Sequence, residues 1–136
     1  MSITFEKIKE ITEIQATSGF EKPMQAFMRK QITPHVDDVQ TDGLGGIFGI
    51  KHAKSENAPR IMVAGHMDEV GFMVSTIKTD GTLRVVALGG WNPLVISAQR
   101  FTLFARNNIT IPIITGGIPP HLMRGAGGAA TLPKVE

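Results

Sequence analysis

Residues 60–71 read RIMVAGHMDEVG, and this stretch decides how the rest of the chain is interpreted. Its first part, residues 60–65, is almost continuously apolar, which is typical of a strand buried on both faces of a sheet. His66 and Asp68 come directly after it. The carboxyl ends of strands face the crevice in which open α/β folds bind ligands. The stretch therefore predicts an interior strand that delivers a histidine and a carboxylate to a candidate site.

The His66-x-Asp68 pair has the chemistry of a metal ligand and its support. A neutral imidazole is a good ligand for zinc and similar divalent ions. Its second ring nitrogen needs an acceptor that fixes the tautomer, and a carboxylate two residues away can supply one. A three-residue pattern is common by chance. From the spacing alone, His66 could be either an incidental histidine or a metal ligand.

Upstream of this stretch the sequence predicts two helices and two short strands. Ser2 or Thr4 can cap a first helix over about residues 5–16, and Pro23 suits the first turn of a second helix that ends near Pro34. Apolar residues recur at helical spacing in both, which predicts amphipathic packing helices. Residues 36–40 and 46–51 then read as strands around a turn at Asp42-Gly43.

Downstream of Gly71 the pattern changes to strands only. Residues 72–77 and 83–88, separated by a turn, predict a hairpin, and residues 101–105 and 109–114 around Asn107-Asn108 predict a second one. Pro112 indicates that the last strand is an edge strand or is bulged. Exposed apolar edges around residues 101–114 would favour self-association.

Composition and charge exclude several functional classes. The 136 residues are 42% hydrophobic and 19% charged, as in globular proteins. A formal net charge of only +2, with no basic cluster, predicts neither a nucleic-acid partner nor a membrane partner. The absence of cysteine excludes disulfides and thiolate metal sites. The N-terminus lacks the apolar core of a secretory signal, so we expect a cytoplasmic protein.

Several longer motifs, in the same order along the chain, resemble those of the M42 glutamyl aminopeptidase family. Residues 64–74, AGHMDEVGFMV, resemble its first metal-binding motif. The other matching stretches are residues 16–21 (ATSGFE), 41–49 (TDGLGGIFG), 89–93 (GGWNP) and 118–121 (IPPH). The resemblance therefore extends over almost the whole chain, and within the family it is strongest to members that remove N-terminal Glu or Asp.

The resemblance implies an α/β fold class. Residues 1–70 would be the N-terminal portion of a zinc-aminopeptidase-like α/β catalytic domain. Residues 71–136 would be an incomplete all-β domain, PDZ-like or a barrel, that serves dimerisation. Family members assemble into dimers and from these into dodecamers, so a homo-oligomer is expected.

The resemblance also implies a catalytic site with two divalent metal ions, zinc or cobalt, and a peptide substrate. His66 would ligate one ion, and Asp68 would orient His66. The family's remaining ligands and its glutamate base have no counterpart in these residues. We therefore expect a truncated chain whose site is incomplete and which is inactive by itself, because catalytic metal sites need three or more protein ligands.

Other polar residues are interpreted more simply. Glu69 adjoins the site, but in an extended backbone its side chain points away from that of Asp68, so no direct role is expected. His35, His52 and His121 lack carboxylates at ligand spacing and are expected at the surface. The glycines at residues 43–46 and 125–128 lack the pattern of a phosphate-binding loop.

Three functions remain in competition. The leading interpretation is a metal-dependent aminopeptidase that removes acidic N-terminal residues from peptides. An inactive fragment that serves only folding or dimerisation is the alternative from a different class. A deblocking aminopeptidase of broader specificity is the third, because none of the matched motifs forms a specificity pocket.

Overall fold

The structure, a computed structural model, describes residues 4–117. Helices occupy the first part and strands the rest, which confirms the predicted mixture and order. The elements are α1 (Phe5–Glu13), α2 (Lys22–Ile32), β1 (Asp38–Thr41), β2 (Ile47–Ile50), β3 (Gly71–Ile77), β4 (Leu83–Leu88), β5 (Arg100–Phe104) and β6 (Thr110–Ile114). The chain divides into two units, Met1–Gly71 and Phe72–Glu136. Assigning these to a catalytic and a dimerisation domain stays a prediction.

Helix α1 begins as predicted and ends early. Of the two predicted caps, Thr4 is the N-cap, and its side chain accepts a hydrogen bond from the Lys7 amide. The helix ends at Glu13, three residues before the predicted end, because the chain from Ala16 onward runs extended to pair with Glu69. None of its nine residues is buried, so the predicted packing role of α1 is wrong for the described part of the chain.

Helix α2 packs against the hairpin of β1 and β2. Pro23 lies in its first turn as predicted, and Met24 is its buried residue. Gly49 in β2 leaves room for the helix end, because a side-chain carbon there would lie 3.4 Å from the Ile32 Cδ1 atom and 2.9 Å from the Val36 Cγ1 atom. The Gln25 side chain donates to the Gly45 carbonyl at 2.8 Å, which ties the helix to the turn.

The glycine-rich turn between β1 and β2 is braced by its own aspartate. Asp42 Oδ1 accepts hydrogen bonds from the backbone amides of Leu44 (2.9 Å) and Gly46 (2.7 Å). These amides are therefore committed within the turn, and the turn leads into a strand instead of a helix. Both facts agree with the prediction that this is no phosphate-binding loop.

The predicted interior strand at residues 60–65 is the main correction. These residues adopt no regular secondary structure, and the whole run is exposed. A continuously apolar strand becomes buried only when neighbouring strands pair with both of its edges and other elements cover its faces. No described strand pairs with this run. The apolar pattern therefore predicts a buried strand, but residues 4–117 do not include the elements that would bury it.

Both predicted hairpins of the second unit are present. β3 pairs with β4, and β5 pairs with β6 in an antiparallel register without a bulge, with Thr102 opposite Pro112. β6 has a single partner among the described strands, so Pro112 lies on an edge strand, one of the two predicted placements. Asn107 and Asn108 make the turn with φ of 60° and 59°, a conformation that asparagine tolerates well.

An aromatic cluster holds the second unit together. The rings of Phe72 and Trp91 stack with centroids 4.6 Å apart, and Phe101 meets both edge-on at 5.3 and 5.7 Å. Offset-stacked and edge-on pairs are the arrangements that aromatic quadrupoles favour. Trp91 is thus a packing anchor of this unit.

Little of the described chain is fully buried. Ala16, Met24 and Gly71 are the buried residues within 4–117. Along β5 and β6, Phe104, Ile111 and Ile114 are exposed, as the sequence predicts, while the resulting self-association stays a prediction. Within residues 4–117 we find no helix long and apolar enough to cross a membrane. His121, the 118–121 motif and the glycines at 125–128 lie outside the described residues.

Gly71 offers a direct test of the packing in the first unit. A Cβ atom at this buried position would lie 2.5 Å from Thr17 Cγ2 and 2.8 Å from Thr17 Oγ1, so rotating Thr17 does not remove the clash. We expect Gly71→Ala to lower the free energy of unfolding by about 1–3 kcal/mol, the usual range for overpacking. Urea titration of the variant measures this.

Gly65→Ala is the matched control, since nothing lies within 4 Å of a Cβ atom there and the backbone angle is unstrained. It should leave stability unchanged or raise it slightly by restricting the unfolded chain. Equal destabilisation by both substitutions would contradict the close contact between Gly71 and Thr17.

Candidate functional site

The candidate site is built where two distant segments of the first unit pair side by side. Thr17 and Glu69 form a parallel bridge, and the Glu69 amide donates to the Ala16 carbonyl at 2.9 Å. The Glu69 carboxylate accepts a hydrogen bond from the Ala16 amide at 3.1 Å. Glu69 therefore braces this pairing, and the expectation that it has no direct chemical role stays a prediction. This pairing brings residue 18 next to residue 68.

A tight turn after the bridge positions Ser18. The Phe20 amide donates to the Thr17 carbonyl at 2.7 Å, and Gly19 has φ of +88°, which glycine adopts at no steric cost. The Glu21 carboxylate accepts a hydrogen bond from the Gly19 amide at 2.8 Å. These hydrogen bonds fix the turn on both sides of Gly19, so Ser18 has a defined position beside residues 68–69.

Ser18 donates its hydroxyl hydrogen to Asp68 Oδ2 at 2.5 Å. This hydrogen bond is the main cause that lowers the pKa of Asp68 below its usual value, and the contact with His66 acts in the same direction. The sequence pattern does not connect Ser18 with Asp68, which lies 50 residues further along the chain. The available signal was that residues 16–21 and 64–74 both match the same family.

The His66 ring lies within hydrogen-bonding distance of Asp68. His66 Nδ1 lies 3.1 Å from Asp68 Oδ1 and 2.9 Å from the Asp68 carbonyl oxygen. Both partners can only accept a hydrogen bond, so Nδ1 carries the proton. In the neutral ring the lone pair is therefore on Nε2, and no described residue engages that atom. This is the tautomer that a metal-binding histidine with a supporting carboxylate requires.

The site is open to solvent in this chain. The His66 side chain is 85% exposed and that of Asp68 is 42% exposed. The ring is therefore not packed in an apolar interior, and Asp68 is turned towards it. The exposed ring and the placement of Asp68 on its Nδ1 side leave Nε2 accessible to a ligand from solvent.

The fit to a metal ion is partial. His66 has the geometry of one ligand, but residues 4–117 contain no group of three or more ligating side chains. His35 and His52 are exposed and join no such group, as expected of surface histidines. A catalytic ion needs at least three protein ligands, so it would require further residues besides those described. The predicted roles of His66 and Asp68 stay predictions.

Ser18→Ala tests the link between the two segments. Removing the hydroxyl removes the main stabilisation of the charged carboxylate, so the pKa of Asp68 should rise towards its ordinary value. Because the folded-state pKa is lowered, the contact contributes stability above the unfolded pKa and loses it as pH falls through the folded value. Carbon-detected NMR titration of the carboxyl group measures the shift, and acid unfolding should respond less steeply in the variant.

Ser75→Ala on β3 is the matched control, since this exposed serine lies in the second unit. The Asp68 titration should be unchanged in it. An unchanged pKa of Asp68 in Ser18→Ala would disprove the proposed cause of the shift.

Comparison with known proteins places this site in context. The chain is 60% identical over 132 residues to the glutamyl aminopeptidase of Lactococcus lactis subsp. cremoris, a match that covers 97% of this chain and 37% of that protein. It is 37% identical over 128 residues to the lysyl aminopeptidase of Pyrococcus furiosus, covering 91% of this chain and 35% of that protein. The chain thus spans little more than a third of the length of these relatives.

Solved structures show the same fold. An aminopeptidase from the archaeon Desulfurococcus kamchatkensis superposes with a TM-score of 0.84 at 32% identity, covering 96% of this chain and 34% of that one. PhTET1-12s, whose crystal holds a dodecamer in the asymmetric unit, superposes with a TM-score of 0.72 at 27% identity, covering 90% of this chain and 36% of that one. The model of the M42 glutamyl aminopeptidase family matches residues 45–135. The chain therefore belongs to the M42 glutamyl aminopeptidase family.

Proposed function

We propose that this chain contributes part of the active site of a metal-dependent aminopeptidase that removes N-terminal acidic residues from peptides. The observation that carries the proposal is the arrangement of His66, whose Nδ1 is held by Asp68 while Nε2 stays free. It lies in a chain that is 60% identical to a glutamyl aminopeptidase.

In this proposal His66 Nε2 ligates one of two divalent ions, zinc or cobalt, and Asp68 is a positioning residue. Bound ions of this kind polarise the scissile carbonyl and lower the pKa of a bound water. Asp68 fixes the ring orientation and raises the basicity of the ligating nitrogen. Ser18 and the brace at Glu69 in turn fix Asp68 relative to the turn at residues 18–21.

The choice of acidic residues rests on the relatives. The lysyl aminopeptidase is only 37% identical, whereas the glutamyl aminopeptidase is 60% identical over a similar length. A higher identity favours the specificity of that relative. A deblocking enzyme of broader specificity is the outcome that the substrate comparison below would reveal.

The proposal includes a homo-oligomer and a cytoplasmic location. The dodecamer of PhTET1-12s supports assembly from identical subunits. The exposed apolar side chains of β5 and β6 supply a surface for it, since an uncovered sheet edge pairs readily with another chain. The absence of cysteine from the 136 residues fits a reducing compartment, which supports the location.

A chimera tests the activity and its specificity. In it, this chain replaces the matching segment of the L. lactis relative. With added zinc or cobalt, the chimera should cleave Glu-p-nitroanilide, because the grafted segment supplies the His66 ligand. It should cleave it faster than Lys-p-nitroanilide, because the grafted segment is 60% identical to that of a glutamyl aminopeptidase. A chimera that folds but hydrolyses neither substrate would end the peptidase assignment, and equal rates on both would favour broader specificity.

His66→Ala in the chimera tests the ligand. Losing a residue that only supports a metal ligand typically lowers activity by about 10- to 100-fold. Loss of the ligand itself should lower activity by more than this, and the amount of bound metal should fall as well. Asp68→Ala should show a loss within that smaller range. His35→Ala, at an exposed histidine in no ligand group, is the control and should keep full activity. Full activity in folded His66→Ala would overturn the ligand role.

A further inference from the structure

Residues 16–21 (ATSGFE) contact the segment that follows His66 through hydrogen bonds of both backbone and side chain. The two segments are separated by 50 or more residues in the sequence, so this contact is a tertiary one. It reaches both described acceptors of His66 Nδ1, which are the carbonyl oxygen and the carboxylate of Asp68. The turn at residues 18–21 can therefore act on the imidazole ring through Asp68.

The backbone pairing holds the first acceptor, the Asp68 carbonyl oxygen. The peptide bond between Asp68 and Glu69 is trans, so its N–H and its C=O point in opposite directions. The N–H donates to the Ala16 carbonyl at 2.9 Å, and the carbonyl oxygen lies 2.9 Å from His66 Nδ1. One rigid peptide plane thereby links the paired segments to the ring.

Ser18 holds the second acceptor, the Asp68 carboxylate. The Ser18 hydroxyl lies 2.5 Å from Oδ2, a distance typical of a hydrogen bond to an ionised carboxylate, and Oδ1 lies 3.1 Å from His66 Nδ1. The Asp68 side chain is 42% exposed, so without the hydroxyl only water would hold Oδ2. The carboxylate would then be free to rotate away from the ring. Ser18 therefore restricts the group that contacts Nδ1.

The order of these contacts differs from that of a serine hydrolase triad. In a triad the histidine lies between the serine and the carboxylate and accepts the hydroxyl proton. Here the carboxylate lies between the other two residues, and Ser18 donates to it. His66 therefore does not activate the Ser18 hydroxyl as a nucleophile through this contact. The contact instead allows Ser18 to act on His66 through Asp68.

We propose that Ser18 is a positioning residue for metal binding: by holding Asp68 Oδ2, it fixes the orientation in which His66 presents Nε2 and so strengthens the retention of a divalent ion. The inference rests on the proposed function and deepens it. An acceptor that supports a ligating histidine fixes the ring, and its loss typically lowers metal affinity by about 10- to 100-fold. Ser18 supports that acceptor, so its effect should lie near the lower limit of this range.

Metal retention by the chimera tests the inference. The chimera is loaded with cobalt, and the metal dissociation constant is measured by competition with a chelator, with the cobalt absorption spectrum as a second readout. In Ser18→Ala the dissociation constant should rise by about 10-fold, and the spectrum should change because the ring is less restricted. Ser55→Ala makes the same substitution at an exposed serine of the first unit, and it should leave both readouts unchanged.

A double-mutant cycle separates an action through Asp68 from a general effect on the fold. In the Asp68→Ala background, Ser18→Ala should cause no further loss of metal, because the carboxylate that Ser18 holds is already gone. An equal loss in both backgrounds would overturn the inference.

A second pair of variants isolates the hydroxyl group. Ser18→Thr keeps a hydroxyl donor and should retain the metal, whereas Ser18→Val has a similar shape without that donor and should lose as much metal as Ser18→Ala. This pair decides the question if Ser18→Ala fails to fold. Equal retention by the two variants would contradict the role of the hydroxyl, and so would unchanged retention by folded Ser18→Ala.

The result is separable from that for the proposed function. If His66→Ala releases the ion while Ser18→Ala retains it, the ligand role of His66 stands and the positioning role of Ser18 is wrong. If His66→Ala retains the ion, the ligand role itself is wrong, and the positioning role is wrong with it.

Discussion

The candidate site depends on one carboxylate that is shared between two distant segments. Asp68 uses Oδ2 to accept the Ser18 hydroxyl and Oδ1 to hold His66 Nδ1. One group thereby contacts the imidazole and links it to the turn after α1. The backbone bridge between Thr17 and Glu69 brings the two segments together and makes this sharing possible. Without that bridge, the His66-x-Asp68 pair would be a local contact on an unattached loop.

Two neighbouring segments of this region differ in how they are held. Residues 66–69 are tied to residues 16–18 by hydrogen bonds of backbone and side chain, while residues 60–65 have no partner among the described residues. The apolar character of this run is a property of the sequence, but its burial is a property of whatever surrounds it. Burial of apolar area would stabilise this run as a strand, and residues 4–117 do not supply that burial.

Local rules predicted most of the elements. Thr4, Pro23 and the Asn107-Asn108 pair mark a cap, a first helical turn and a tight turn, because each effect depends on a residue and its immediate neighbours. Both hairpins follow from alternation and turn residues in the same way. The prediction failed where burial had to be supplied by other elements. Within residues 4–117, no residue of α1 is buried despite its apolar stripe, and no strand pairs with residues 60–65 despite their apolar pattern.

The sequence by itself determined the family, the helix and hairpin positions, and the pairing of His66 with Asp68, since two residues so close in the chain need only a local bend to meet. Only the tertiary structure decided that Ser18 donates to Asp68 and that Glu69 braces Ala16. Fifty or more residues separate these partners, so no local pattern specifies their contact. It also decided that the ring stands open to solvent, because exposure depends on what packs around a segment as well as on its own composition.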